Sequence, residues 1–339
     1  MILKIKIKYI AQILLVVNIL TQYSCFREDD KIILPQTEGE TILTRIGIGQ
    51  KYENQIFFDL NSDQIVKSNP LTAWDIGFSC NDSTWDIVLN NSKSMLAANT
   101  FSSDFDGITD DEDLKYRFDS PAGIRDSLAF SGWYKLENNV PISNEYVFIV
   151  DRGKDENGKK EGKKKIIVSI FGKNSFIITY SDLDGSSIKT DTIEKNSALN
   201  NQCYSFDTGI VDIEPEKDKW SLLFTKYQTY YQTIEGNFLP YTVVGVLQNP
   251  FEVKVKKDTK TEFNEINISN TNNIYFTDSL DIIGFDWKYY NFDEDNYSIV
   301  DSFKYIILNN DQYYYKMRFL EFYDEQNRKG FPLMEFKRL

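Results

Sequence analysis

Lys165-Ile-Ile-Val-Ser-Ile-Phe171 and Ser175-Phe-Ile-Ile-Thr-Tyr180 are two short runs rich in β-branched and aromatic residues. Side chains repeating at a period of two share one face of a strand, and such residues suit a pleated, half-buried surface. The same texture continues in both directions. Toward the N-terminus lie Gln55-Ile-Phe-Phe-Asp-Leu60, Trp74-Asp-Ile-Gly-Phe78 and Glu145-Tyr-Val-Phe-Ile-Val150. Toward the C-terminus lie Lys219-Trp-Ser-Leu-Leu-Phe-Thr225, Tyr241-Thr-Val-Val-Gly-Val-Leu247 and the long stretch from Gln312 to Tyr323. Asp184-Gly185 and Asn157-Gly158 each divide two strand-like runs, as tight hairpin turns do. No long run holds a 3.6-residue apolar period with caps, so helix is expected only in short pieces, as near Thr261 to Ile268. No repeat of roughly 20–50 residues is present, which disfavours a propeller or solenoid. The expectation is all-β: one elongated antiparallel β-sheet body over residues 41–339, with little helix.

The 339 residues carry 38 Lys plus Arg against 51 Asp plus Glu, a formal net charge of -13. That balance lacks the basic footprint of a phosphate-backbone binder, so no nucleic-acid partner is expected. Histidine is absent altogether. This removes Ser-His-Asp and Cys-His catalysis, HExxH zinc sites and histidine-ligated haem.

Lys4, Lys6 and Lys8 precede an almost wholly apolar run from Tyr9 to Leu20, and Ser24 precedes Cys25. A basic start with an apolar core shorter than the ~20 residues of a spanning helix reads as an export signal. The arrangement resembles a bacterial lipoprotein signal over residues 1–24, with Cys25 the lipidated residue. The usual leucine three residues before the cysteine is replaced by Gln22. Phe26-Arg-Glu-Asp-Asp30 then opens an acidic tether over residues 25–40, of the kind that keeps a folded body away from a bilayer. The other two cysteines, Cys80 and Cys203, sit in apolar-alternating stretches, where a disulfide and two buried thiols are both open.

Gly153-Lys-Asp-Glu-Asn-Gly158-Lys159-Lys160 mimics a phosphate loop, but Lys160 stands where a metal-binding hydroxyl is needed and a strand follows. The acidic stretch Ser102 to Asp113 lacks both the leading aspartate and the closing glutamate of a calcium loop. No metal site and no catalytic residue is expected. Aromatic residues are the abundant raw material for binding: 21 Tyr, 24 Phe and 5 Trp. Of their clusters, Tyr230 and Tyr231 are the candidates for stacking on a ligand ring. Trp74 and Trp220 each open an alternating run, Trp74-Ile76-Phe78 and Trp220-Leu222-Phe224, and are expected to be structural.

Trp74-Asp75-Ile76-Gly77-Phe78, after the Phe57-Phe-Asp59-Leu60 run, resembles the Trp-Asp-Leu-Ala-Phe signature of the HmuY family of Bacteroidetes lipoproteins. The ending, Tyr315-Lys-Met-Arg318-Phe-Leu-Glu-Phe-Tyr323 with Lys329-Gly330-Phe331-Pro332 and Phe336, is similar to the family's closing hairpin. Lys219-Trp220 to Tyr227 and Gly245-Val-Leu247-Gln-Asn249 are similar to a longer branch of it. The resemblance spans most of residues 41–339. It implies an all-β haem-binding protein at the outer membrane or cell surface, passing haem to a TonB-dependent receptor. In the family the iron is held by paired histidines, or by methionines in some relatives. Here only Met95, Met317 and Met334 remain inside the body. Met317 and Met334 share strand faces with aromatics and are expected in the core, which leaves Met95 as the candidate axial ligand. The expected function is thus a non-enzymatic, outer-membrane-anchored binding lipoprotein, with haem as the ligand the resemblance suggests. The alternative is a structural or adhesive surface lipoprotein engaging glycan or protein through aromatic sheet surfaces.

Overall fold

The computed structural model describes residues 38–233 and 235–339. The expected signal, the lipidation site Cys25 and most of the tether lie outside them. Among the described residues there are strands and four short 3-10 segments, and no α-helix. The helix expected near Thr261 to Ile268 is two 3-10 turns, Phe263–Glu265 and Ile268–Thr271. The strand expectations hold. Lys163–Phe171 pairs antiparallel with Ser175–Ser181 over seven residues, and the turn holding Asp184-Gly185 returns the chain to Lys189–Glu194.

Four main sheets stack as two lobes. In one lobe a five-stranded sheet has the order Ile42–Arg45, Lys329–Arg338, Tyr314–Tyr323, Lys304–Leu308, Lys254–Asp258. It faces a four-stranded sheet ordered Phe238–Gln248, Leu222–Gln232, Asn54–Asp59, Gln64–Pro70. Between them lies a core containing Ile56, Phe58, Leu222, Phe224, Val246, Tyr305, Met317 and Phe336. In the other lobe, Gly209–Val211, Asn201–Ser205, Ile76–Ser79 and Ile87–Leu89 form one sheet. It packs on the sheet of Lys189–Glu194, Ser175–Ser181, Lys163–Phe171, Phe148–Asp151 and Leu96–Asn99. Ile76, Phe78, Ile87, Phe148, Ile166, Phe176 and Tyr204 fill that core. The second lobe is one continuous insertion, entered after Gln64–Pro70 and left before Leu222–Gln232.

The two four-stranded sheets meet back to back. Phe57, Cys203, Ile213 and Trp220 are buried there, with Ala73, Trp74, Val211 and Leu223 packed around them. The strand Asn54–Asp59 is therefore buried on both faces. Ile56 and Phe58 enter the first core, and Phe57 enters the junction.

The Trp74-to-Phe78 stretch ties these layers together. Ile76 and Phe78 enter the second core. Asp75 is buried and accepts from Lys93 Nζ at 2.5 Å, Arg152 Nη2 at 3.0 Å and the Phe206 amide at 2.8 Å. A Cβ on Gly77 would lie 2.9 Å from Val88 Cγ2 and 3.3 Å from Asn201 Cβ, so the approach of the neighbouring strands requires glycine there. At the far end of the chain Gly330 has φ of +89°, and a Cβ would lie 2.4 Å from the Gly49 carbonyl oxygen. That backbone suits glycine alone.

Candidate functional site

The period of two places Gln55 beside Phe57 on the junction face of its strand, and Leu223 with Thr225 and Tyr227 on that of the next. Opposite them the inserted lobe presents Trp74, Val88, Asn91 and Cys203. The two faces do not close completely. They leave a cavity of about 200 Å³ lined by all these residues together with Trp220, Leu247 and Gln248. Pro121, Gly123, Pro250 and Leu280 also line it and are half-buried or exposed, so they form its rim. One hydrogen bond, from the Leu280 amide to the Ala122 carbonyl at 3.1 Å, joins two of the rim segments.

The walls are mostly apolar, yet polar atoms without partners collect on them. Gln55 Nε2, Trp74 Nε1, Asn91 Oδ1 and the Tyr227 hydroxyl are all buried with no hydrogen bond. Leaving a buried donor or acceptor unpaired costs about 1–3 kcal/mol each. Four together would cost about 4–12 kcal/mol, comparable with the net stability of a domain. A molecule bound in the cavity, or buried water, can pair them.

The carboxyl groups on the walls are already occupied. Burial pushes the Asp119 carboxyl up to about 6, opposed by amide hydrogen bonds from Ala129 and Leu89. Those amides donate at 2.6 Å each. Burial likewise pushes Glu214 up to about 7, opposed by the Asn201 amide at 2.8 Å and Asn200 Nδ2 at 2.5 Å. Burial lowers Lys226, partly offset by Glu53. The cavity thus offers unpaired neutral donors and acceptors between aromatic walls.

The residues singled out from the sequence are not brought together. Tyr230 and Tyr231 are more than half exposed on the outer part of the hairpin Leu222–Gln232/Phe238–Gln248. Tyr230 lies 4.7 Å from Phe118, and Tyr231 lies 6.0 Å from Tyr241. Cys80 and Cys203 are both free and buried. Cys203 pairs with Gly77 while the Cys80 amide bonds Asn200, an offset of three residues along adjacent strands. An offset that long puts the Cα atoms beyond the ~7 Å reach of a disulfide. Trp74 and Trp220 depart from their expected faces. Their strands begin two residues later, at Ile76 and Leu222, so both indoles fall in the junction and line the cavity. The phosphate-loop mimic is a hairpin tip closed by a Lys154–Lys160 bridge. In the acidic stretch Asp111 is taken by Lys163 at 2.5 Å and the Tyr116 hydroxyl at 2.7 Å.

A family described as HmuY protein matches residues 51–336. The chain belongs to the HmuY family. No curated protein matches it in sequence. Among solved structures it is similar to apo PinO from Porphyromonas gingivitis, at 8% identity and a TM-score of 0.29, covering 88% of this chain and 97% of that one. It is also similar to an apo HmuY analogue from Tannerella forsythia, at 10% identity and a TM-score of 0.25, covering 89% and 98%.

The described residues do not fit an iron held as in the HmuY resemblance. Histidine is absent, and Met95, Met317 and Met334 are fully buried. Met95 lies in the second core, and the other two lie in the first. The turn Asn91–Lys93 folds Met95 inward, and Gln228 Nε2 holds its carbonyl at 3.1 Å. Axial ligation by its sulfur would require opening that core. No group of three or more Cys, Asp or Glu side chains that could hold a metal occurs among the described residues. The cavity at the junction is also below the ~300–1,000 Å³ of sites for drug-sized ligands.

Proposed function

We propose that this HmuY-family protein is a non-enzymatic, lipid-anchored binding protein of the outer membrane that holds a small ligand between its two lobes. In this reading it hands that ligand to an outer-membrane receptor of the TonB-dependent kind. The observation that carries the binding reading is the cavity with four unpaired buried polar atoms on mostly apolar walls. The anchor rests on the lipoprotein-like N-terminus and Cys25. The exposed aromatic and aliphatic side chains Tyr230, Tyr231, Phe238, Leu239 and Tyr241 on the long hairpin are then the surface for a macromolecular partner. Haem, the ligand suggested by the resemblance, would have to bind here without histidine or an accessible thioether.

Thermal unfolding of the full chain with haemin and with small polar metabolites tests the reading. A true ligand at a hundred times its Kd adds about 2.7 kcal/mol. A melting temperature unmoved by every compound would remove the binding reading. For the anchor, metabolic labelling with a clickable palmitate should tag the protein, and Cys25→Ser should abolish the tag. Labelling that survives the substitution would overturn the assignment.

A further inference from the structure

We infer that the cavity between the lobes is a site for an uncharged, hydroxylated single-ring molecule of hexopyranose size; this rests on the binding reading above. Size is the first constraint. About 200 Å³ is below the ~300–1,000 Å³ of sites for drug-sized ligands, which suits a single ring better than a porphyrin. Polarity is the second. Gln55 Nε2 and Trp74 Nε1 can only donate, Asn91 Oδ1 only accepts, and the Tyr227 hydroxyl does either. A ligand that satisfies all four must carry both donors and acceptors around its edge. Hydroxyl groups do this at every position.

Charge is the third constraint. The carboxyl groups of Asp119 and Glu214 already accept hydrogen bonds, and these two acidic side chains line the cavity against a single cation, Lys226, too few to balance an added phosphate or carboxylate. An anionic ligand would therefore carry an uncompensated charge into a buried site. Shape is the fourth. Phe57, Trp74, Trp220 and Leu223 present apolar surface between the polar atoms, and water against such walls is poorly accommodated. A pyranose has hydroxyl edges and C–H faces, so it matches both parts of the lining.

The test measures the full chain, in a detergent without a sugar headgroup, against glucose, galactose and mannose, with glucuronate as the anionic control. At ten times its Kd, at least one neutral hexose should raise the melting temperature by about 3 °C. It should also change the tryptophan fluorescence, while glucuronate leaves both unchanged. Gln55→Leu and Tyr227→Phe should each abolish the hexose response, and each should leave the unliganded protein as stable as the parent or more so, because each removes a buried polar group that has no partner. The second variant and the parent's fluorescence keep the test decisive if one variant misfolds. Three outcomes overturn the inference: no response to any neutral hexose, an equal response to glucuronate, or a crystal structure grown with hexose whose cavity holds ordered water only. If hexoses fail while haemin or another compound raises the melting temperature, this inference falls and the binding reading stands. If no compound acts, both fall.

Discussion

At the scale of single residues, Asp75 shows what the family-like motif is for. Its carboxylate sits almost out of contact with solvent, between Lys93 and Arg152, and Arg152 also reaches Asp207 at 2.7 Å. Such a group says little about net stability, because desolvating the charges offsets their attraction. Removing one partner is another matter, since it strands the rest. Asp75→Ala should therefore cost about 3–5 kcal/mol in urea unfolding. A loss below about 1 kcal/mol would mean the network is solvated. Trp220 makes a second case. It packs edge-on to Phe57 at 5.0 Å and is almost wholly buried, so Trp220→Ala should cost about 3–5 kcal/mol. It should also remove any ligand-induced fluorescence change. The sequence marks Trp220 as important but puts it on the wrong face. Alternation counts faces correctly only inside a strand, and here the strand starts at Leu222.

At the scale of elements, the strands were legible and the cavity was not. Runs such as Ser175 to Tyr180 announce themselves because their side chains alternate and their turns carry glycine. Gln55 and Gln248 also look ordinary, being polar positions in alternating strands of the kind that usually meet water. Only packing turns them inward: the inserted lobe covers the Gln55 face and leaves Gln55 Nε2 unpaired, while Gln248 lies on the first-core face beside Leu222 and donates to the Val253 carbonyl, and the cavity lining runs from Gln55 to Leu280. The small hairpin Lys288–Asn291/Asn296–Ile299 hides a similar surprise. Lys288 is buried, donates to the Val244 carbonyl at 2.6 Å and lies 4.3 Å from the Trp287 ring centre. Burial lowers its pKa to about 7, opposed only by Asp286. Between about pH 7 and the ordinary lysine range the unfolded chain holds a proton that the folded chain does not, so this residue makes stability rise with pH there. Below pH 7 its cost is fully present. Lys288→Met should accordingly gain most over the parent at pH 6–7 and lose that advantage toward pH 10. A difference independent of pH between 6 and 10 would show that Lys288 stays charged in the native protein.

At the scale of the molecule, one lobe inserted into another explains why the body folds around two cores yet meets in a junction of few buried residues. It also bears on how iron could be held. The three methionines that could replace histidine are spent on packing, one in the second core and two in the first, at positions where a sulfur fills space among aromatics and β-branched side chains. Cys80 and Cys203 are buried thiols whose pKa burial raises, and a tyrosinate requires a depressed pKa. The structure works against that at the junction, where burial raises Tyr227. Haemin added to the full chain should therefore give at most a five-coordinate spectrum, with no six-coordinate low-spin form. The absorption and magnetic circular dichroism spectra report this directly. A low-spin six-coordinate spectrum that vanishes in Met95→Leu combined with Met317→Leu would show that the cores open to bind iron. Methionine ligation would then displace the junction cavity as the leading account of what the lobes hold.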